Sequence, residues 1–201
     1  MPVTFPLPFG SSFWSKVELA LRAMVALASF SLSSSCAGRQ PQDLVRSHSS
    51  FELIRFFTGH SRSWGVFETS HGQPSRYFRC DSYGKRNPAG DLTLHQYFLF
   101  GDGKTQNRVW QIHQVDSSHW QARADDMVGV AQAVSFGNTV SLEYTITLDR
   151  QNPMATVHIR QWIYQPEESG SLMTRLVITK LGITIFQVSE VIHHVSSESG
   201  N

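Results

Sequence analysis

The chain has 201 residues, with 17 lysines and arginines against 16 aspartates and glutamates and a formal net charge of +1. That balance leaves no basic footprint for nucleic acid or for an acidic polymer. Two cysteines, Cys36 and Cys80, exclude a disulfide-rich scaffold and a four-cysteine zinc site.

Residues 1–15 are apolar and proline-bearing, and a start codon assigned too far upstream accounts for them. Ala23 to Leu32 (AMVALASFSL) is an apolar run preceded by Lys16 and Arg22 and followed by small residues. A basic flank, a short apolar stretch and a small-residue end make a secretory signal, and the run is too short to span a bilayer as a helix. Cys36 follows in LSSSC, which resembles a lipobox, although Leu32 lies four residues before the cysteine and Ser33 occupies the usual aliphatic position. Three fates of Cys36 are open: acylation, loss after ordinary signal cleavage near Ser35 or Gly38, and pairing with Cys80. The expected organisation is a signal helix over 1–36, a flexible tether over 37–50, a β-barrel over 51–196 and a tail over 197–201. Gly38 to Ser50 is polar and aperiodic, as a tether should be.

Phe51 to Phe57 (FELIRFF) is apolar and suits either a first strand or a single helical turn that plugs one barrel end, the plug being favoured. Strands are expected at 62–69, 75–83, 91–100, 105–115, 118–124, 127–136, 139–148, 155–165, 171–180 and 183–194. Over 139–148, Val140, Leu142, Tyr144, Ile146 and Leu148 alternate with polar residues, the period of two that marks a half-buried antiparallel strand. Turn residues separate the strands at Gly84 to Gly90, Gly101-Asp102-Gly103, Gly137-Asn138, Gln151-Asn152-Pro153 and Glu168-Ser169-Gly170. Short glycine-, asparagine- and aspartate-bearing links favour hairpins, and a meander of about 8–10 strands tends to close because closure removes its edges. The predicted fold is therefore all-β, a single antiparallel up-and-down barrel. Its many aromatic residues either fill the interior or line a cavity.

Arg108-Val109-Trp110 and Arg123-Ala124-Asp125-Asp126 are the distinctive polar clusters. Adjacent residues of a strand face opposite ways, so Asp125 and Asp126 are read as a turn with a supporting ion pair. The nine histidines show no HxH or HExxH spacing, and no nucleophile elbow or phosphate-binding glycine loop is present. No catalytic residue, metal or cofactor is predicted, and the chain is expected not to be an enzyme.

With FFTGHSRSWGVFE at 56–68, GDGKTQNRVW at 101–110, RADDMVG at 123–129 and TKLGI at 179–183, the chain resembles the DUF3833 family of bacterial lipoproteins, whose function is unknown. The resemblance runs from about Phe56 to Val195 and implies a lipocalin-like, or calycin-like, barrel. It singles out Trp64, Gly65, Arg108, Trp110, Arg123, Asp125, Asp126, Gly129, Lys180 and Gly182. It also implies a cation–π pair of Trp64 with Arg108 or Arg123 closing one barrel end.

The expected function is that of a lipoprotein held to the membrane at Cys36, facing the periplasm from the outer rather than the inner membrane, and binding an apolar small molecule or lipid. Candidate ligand-binding or structural residues are Trp64, Arg108, Trp110, Arg123, Asp125, Asp126 and Lys180. The alternatives are an enzyme or enzyme accessory acting on envelope lipids through Arg123, Asp125 and Asp126 at the barrel rim, and a structural envelope protein.

Overall fold

A computed structural model of the chain describes residues 52–148, 152, 155–166 and 170–195. The expected signal helix, Cys36, the tether and the tail lie outside the described residues.

A five-residue helix, α1 (Leu53–Phe57), leads into ten strands: β1 (Gly59–Thr69), β2 (Pro74–Arg86), β3 (Leu92–Phe100), β4 (Thr105–Gln114), β5 (His119–Ala124), β6 (Met127–Phe136), β7 (Thr139–Thr147), β8 (Thr156–Tyr164), β9 (Ser171–Lys180) and β10 (Ile183–His194). Each strand pairs antiparallel with its neighbours in sequence, and β1 pairs with β10 from Ser61↔His194 to Thr69↔Phe186, closing the barrel. All ten strands fall within a few residues of the predicted segments.

Period-two alternation decides which residues face inward. On β7, Val140, Leu142, Tyr144 and Ile146 are buried while Glu143 is exposed. On β1 the pattern inverts in size: Ser61 and Ser63 face inward and are buried, whereas Trp64 is 48% exposed. Small inward residues recur as Cys80 and Ser82 on β2, Ala122 on β5, and Ala131 and Ala133 on β6. A ten-stranded barrel is wider than an eight-stranded one, so these short side chains leave the middle unfilled.

The outer wall carries charge, including Arg62 Nε to Asp81 Oδ1 at 2.7 Å and Arg160 Nε to Glu143 Oε1 at 2.6 Å. An apolar inside and a charged outside is the reverse of a transmembrane barrel.

The helix α1 closes one end, as the predicted plug does. Leu53, Ile54 and Phe57 are buried in the main core together with Leu92, Trp110, Trp120 and Ile192. Its close approach depends on Gly84, where an added Cβ would lie 1.7 Å from the Phe57 carbonyl oxygen. Five hairpin links, β1–β2, β3–β4, β5–β6, β7–β8 and β9–β10, lie at the opposite end.

Candidate ligand cavity

A cavity of about 770 Å³ runs through the barrel. It is bounded at one end by Leu53 and Phe57 of α1 and extends to Arg76, Thr147, Leu148 and Phe186 at the other. Small-molecule pockets span roughly 300–1,000 Å³. The volume suits a ligand of substantial apolar bulk.

Most of the lining is apolar. Phe67, Phe78, Phe98 and Phe100 line the cavity and pack on one another, with Phe67 and Phe78 ring centroids 5.6 Å apart and Phe98 stacked on Phe100 at 6.2 Å. Trp110, Trp120 and Tyr144 line it further round the barrel. The aromatic residues thus divide: these rings face the cavity, while Trp64, Tyr77 and Tyr97 are exposed outside.

Into this lining project a few polar groups. Arg108 on β4 forms an ion pair with Asp126 in the β5–β6 link, and its guanidinium lies 5.5 Å from the Trp110 ring centroid. Trp110 Nε1 donates to Gln96 Oε1 at 2.7 Å and meets Tyr144 edge-on at 5.4 Å. The Tyr144 hydroxyl donates to Gln161 Oε1 at 3.4 Å, and Gln161 Nε2 donates to Thr174 Oγ1 at 3.0 Å. Glu190 on β10 faces the same space and hydrogen-bonds Ser63. These contacts carry polarity across β3, β4, β7, β8 and β9.

Burial dominates the titration of these groups. It pushes the Glu190 carboxyl up to about 7, with the Ser63 hydrogen bond opposing only part of the effect. Glu190 is half-buried and lies on the cavity lining. Burial also pushes the Tyr144 hydroxyl up to about 12, against the nearby positive charge of Arg108. The Cys80 thiol is fully buried and likewise raised to about 12 by burial, so it is a poor nucleophile.

The sequence-predicted residues separate in space. Arg108, Trp110 and Asp126 come together at the cavity wall. Arg123 is exposed, opposite Gln111 on β4, and Asp125 is exposed beside it. Arg108 supplies an ion pair to this link, through Asp126. Lys180 shares the register of Leu176 and Ile178 but lies exposed at the rim. Gly129, with φ +80°, occupies the irregular stretch of β6 between Val128 and Gln132.

The cation–π pair expected of Trp64 is not formed. Ser63 and Gly65 occupy the inward positions of β1, so Trp64 must point outward, where it meets His193 edge-on at 5.8 Å. Arg108 lies over Trp110 instead.

Gln96, Gln161, Thr174 and Glu190 are not among the residues the sequence singles out, and Tyr144 is there only as an inward residue of its strand. Their signal is a polar residue in an apolar register: Gln96 between Leu94 and Phe98, Gln161 between Ile159 and Ile163, Glu190 between Val188 and Ile192. Among the described residues no three His, Cys, Asp or Glu side chains gather as a metal site would require.

Fold and site together define a closed, ten-stranded antiparallel β-barrel with an apolar-lined internal cavity. The chain belongs to DUF3833, a family of proteins of unknown function, whose model matches residues 30–194. No curated protein matches the sequence. Among solved structures, the chain is similar to an S-type phycobiliprotein lyase from Guillardia theta, with a TM-score of 0.53 and 10% identity over 73% of this chain and 92% of that one. It is also similar to a DUF3598-family protein of unknown function from Nostoc punctiforme, with a TM-score of 0.51 and 13% identity over 73% of this chain and 50% of that one. Both likenesses are of fold alone.

The first of them corrects one expectation. The chain was expected not to be an enzyme, yet its barrel is of a kind that a lyase also has, so that exclusion does not stand.

Proposed function

We propose that the protein is an exported barrel, anchored through an acylated Cys36, that binds an apolar small molecule or lipid at the periplasmic face of the bacterial envelope, with the outer membrane favoured over the inner. The observation that carries this reading is the cavity of about 770 Å³ with its predominantly aromatic and aliphatic lining. Such a surface is costly to leave in water and is relieved by an apolar guest. Export and anchoring rest on the leader and on LSSSC alone.

Native mass spectrometry of protein purified from its own membrane tests the reading, with a bound mass lost on organic extraction as the expected result. The complementary variant is Ala133→Trp, which projects a large ring into the cavity. With the circular dichroism spectrum unchanged, it should weaken displacement of a fluorescent fatty-acyl probe by about tenfold or more. Protein that carries no ligand, and binds no acyl probe after delipidation, would sink the proposal.

A second reading is favoured by Glu190, an acid placed near neutrality inside the cavity, with Tyr144 and Arg108 also on the lining. Those groups suit proton transfer to a bound lipid. Chemical change in an acyl ligand incubated with wild-type protein, absent with Glu190→Gln, would establish it; recovery of the ligand unchanged would dismiss it. Of the residues in the rim version of an enzymatic site, Arg123 and Asp125 are exposed while Asp126 pairs with Arg108 on the cavity lining.

A further inference from the structure

The links at both ends of the barrel are closed by side-chain hydrogen bonds, from Asn87 and Asp116 at the plugged end and from Thr69 and Asp102 at the open one. The plugged end exposes Val115 (53%) and Met173 (54%). The open end carries the most exposed aliphatic tips among the described residues: Leu181 is 86% exposed, Ile183 70% and Leu148 64%, with Val128, Phe186 and Tyr77 also exposed.

Leu181 is the most informative of these. The β9–β10 link has φ +50° at Leu181 and +79° at Gly182, the mirror-image turn that asparagine and glycine ordinarily fill. A leucine there is sterically disfavoured, and its exposed side chain contributes no packing to the fold. A strained residue that displays its apolar surface to solvent points to a role outside folding.

We infer that this open end is a membrane-docking rim, which sets its aliphatic tips into the acyl-chain boundary of a lipid bilayer and brings the cavity mouth against it. The inference deepens the proposed lipid-binding reading and rests on it for the purpose of the contact. Leu148 and Phe186 both line the cavity and are exposed at the rim, so apolar surface is continuous from outside to inside. A lipid could then pass without crossing bulk water.

Charge favours a bilayer over an acidic or basic protein partner. Arg76 and Lys104 both pair with Asp102 at the rim, Arg108 pairs with Asp126, and exposed Lys180 stands beside the Leu181 tip, where a headgroup phosphate would lie. With Arg76, Lys104 and Arg108 paired in this way, aliphatic insertion supplies the affinity. The length of chain before the barrel permits it: the 14 residues from 37 to 50 extend at most roughly 50 Å, more than the length of a ten-residue strand.

The test uses the full chain with Cys36→Ser, so that no acyl group intervenes, and Leu181→Cys carrying an environment-sensitive fluorophore. Cys80 is fully buried and remains unlabelled. A second protein carries the label at Asp116→Cys on the plugged end. Both are mixed with phosphatidylcholine vesicles whose acyl chains are brominated, which quench a fluorophore in the hydrocarbon. Strong quenching at position 181 with little at 116 is the expected result. In the Cys36→Ser chain labelled through Tyr77→Cys, adding Ile183→Ser and Leu181→Ser should lower vesicle partitioning by about tenfold.

Absence of quenching at 181, or equal quenching at both positions, would overturn the inference. So would a change at 181 that follows protein concentration rather than lipid, since it would mark a second copy as the occupant. Displacement of the fatty-acyl probe is measured on the same proteins without vesicles, so the cavity and the rim can fail separately.

Discussion

Glu190 sits in the inward register between Val188 and Ile192, where its neighbours in the strand are apolar and its charge loses the hydration it would have in the unfolded chain. Its folded value, about 7, lies above the ordinary glutamate value of 4.5, so between those values the native state holds a proton that the unfolded state has released. Stability contributed at low pH is therefore lost as pH rises from about 4.5 to about 7, by an amount on the order of 3 kcal/mol. Glu190→Gln should flatten the dependence: denaturant unfolding between pH 5 and pH 8 should show the wild type weakening relative to the variant, and parallel curves would contradict the assignment. Glu190 is absent from the sequence-derived candidates, although a polar residue in an apolar register marks it. Trp64 was harder to place, because β1 puts serine and glycine inside and its tryptophan outside, so hydropathy alone points to the wrong face.

The strands were readable because period-two alternation and turn residues agree almost everywhere, most plainly in β7. The plug was readable only as a preference, since FELIRFF suits a strand as well as a helical turn. What resolves it is tertiary: Gly84 on β2 opens the space in which the Phe57 carbonyl lies, and Leu92 packs close by. Gly84→Ala should consequently displace α1, with a destabilisation of about 3 kcal/mol in chemical denaturation and faster hydrogen exchange confined to the helix and its contacts. An unchanged midpoint would show that the helix does not depend on that approach. Gly65 plays a related part beside the Phe78 ring, where a Cβ would come within 2.3 Å. Neither steric requirement can be read from a glycine in a strand-like segment.

The hollow itself was the least legible feature. It arises from strand number, register and small side chains on β1, β2, β5 and β6 acting together, and aromatic residues elsewhere are compatible with a filled barrel too. Pairing of β1 with β10 removes the last free edges, and a chain ending after Lys180 would expose the flanks of β1 and β9. Such a chain should associate through those edges and lose the fatty-acyl probe, as size-exclusion chromatography and probe titration would show; a monomeric truncated protein would contradict it. The same seam sets an order of events. The first ribbon must wait for the final one to be synthesised before the two can zip together, a loop closure of more than a hundred residues that is slow to find. The ligand's chamber has no precursor: it comes into being with that last pairing, and a guest that recognises only the finished vessel would act as its latch.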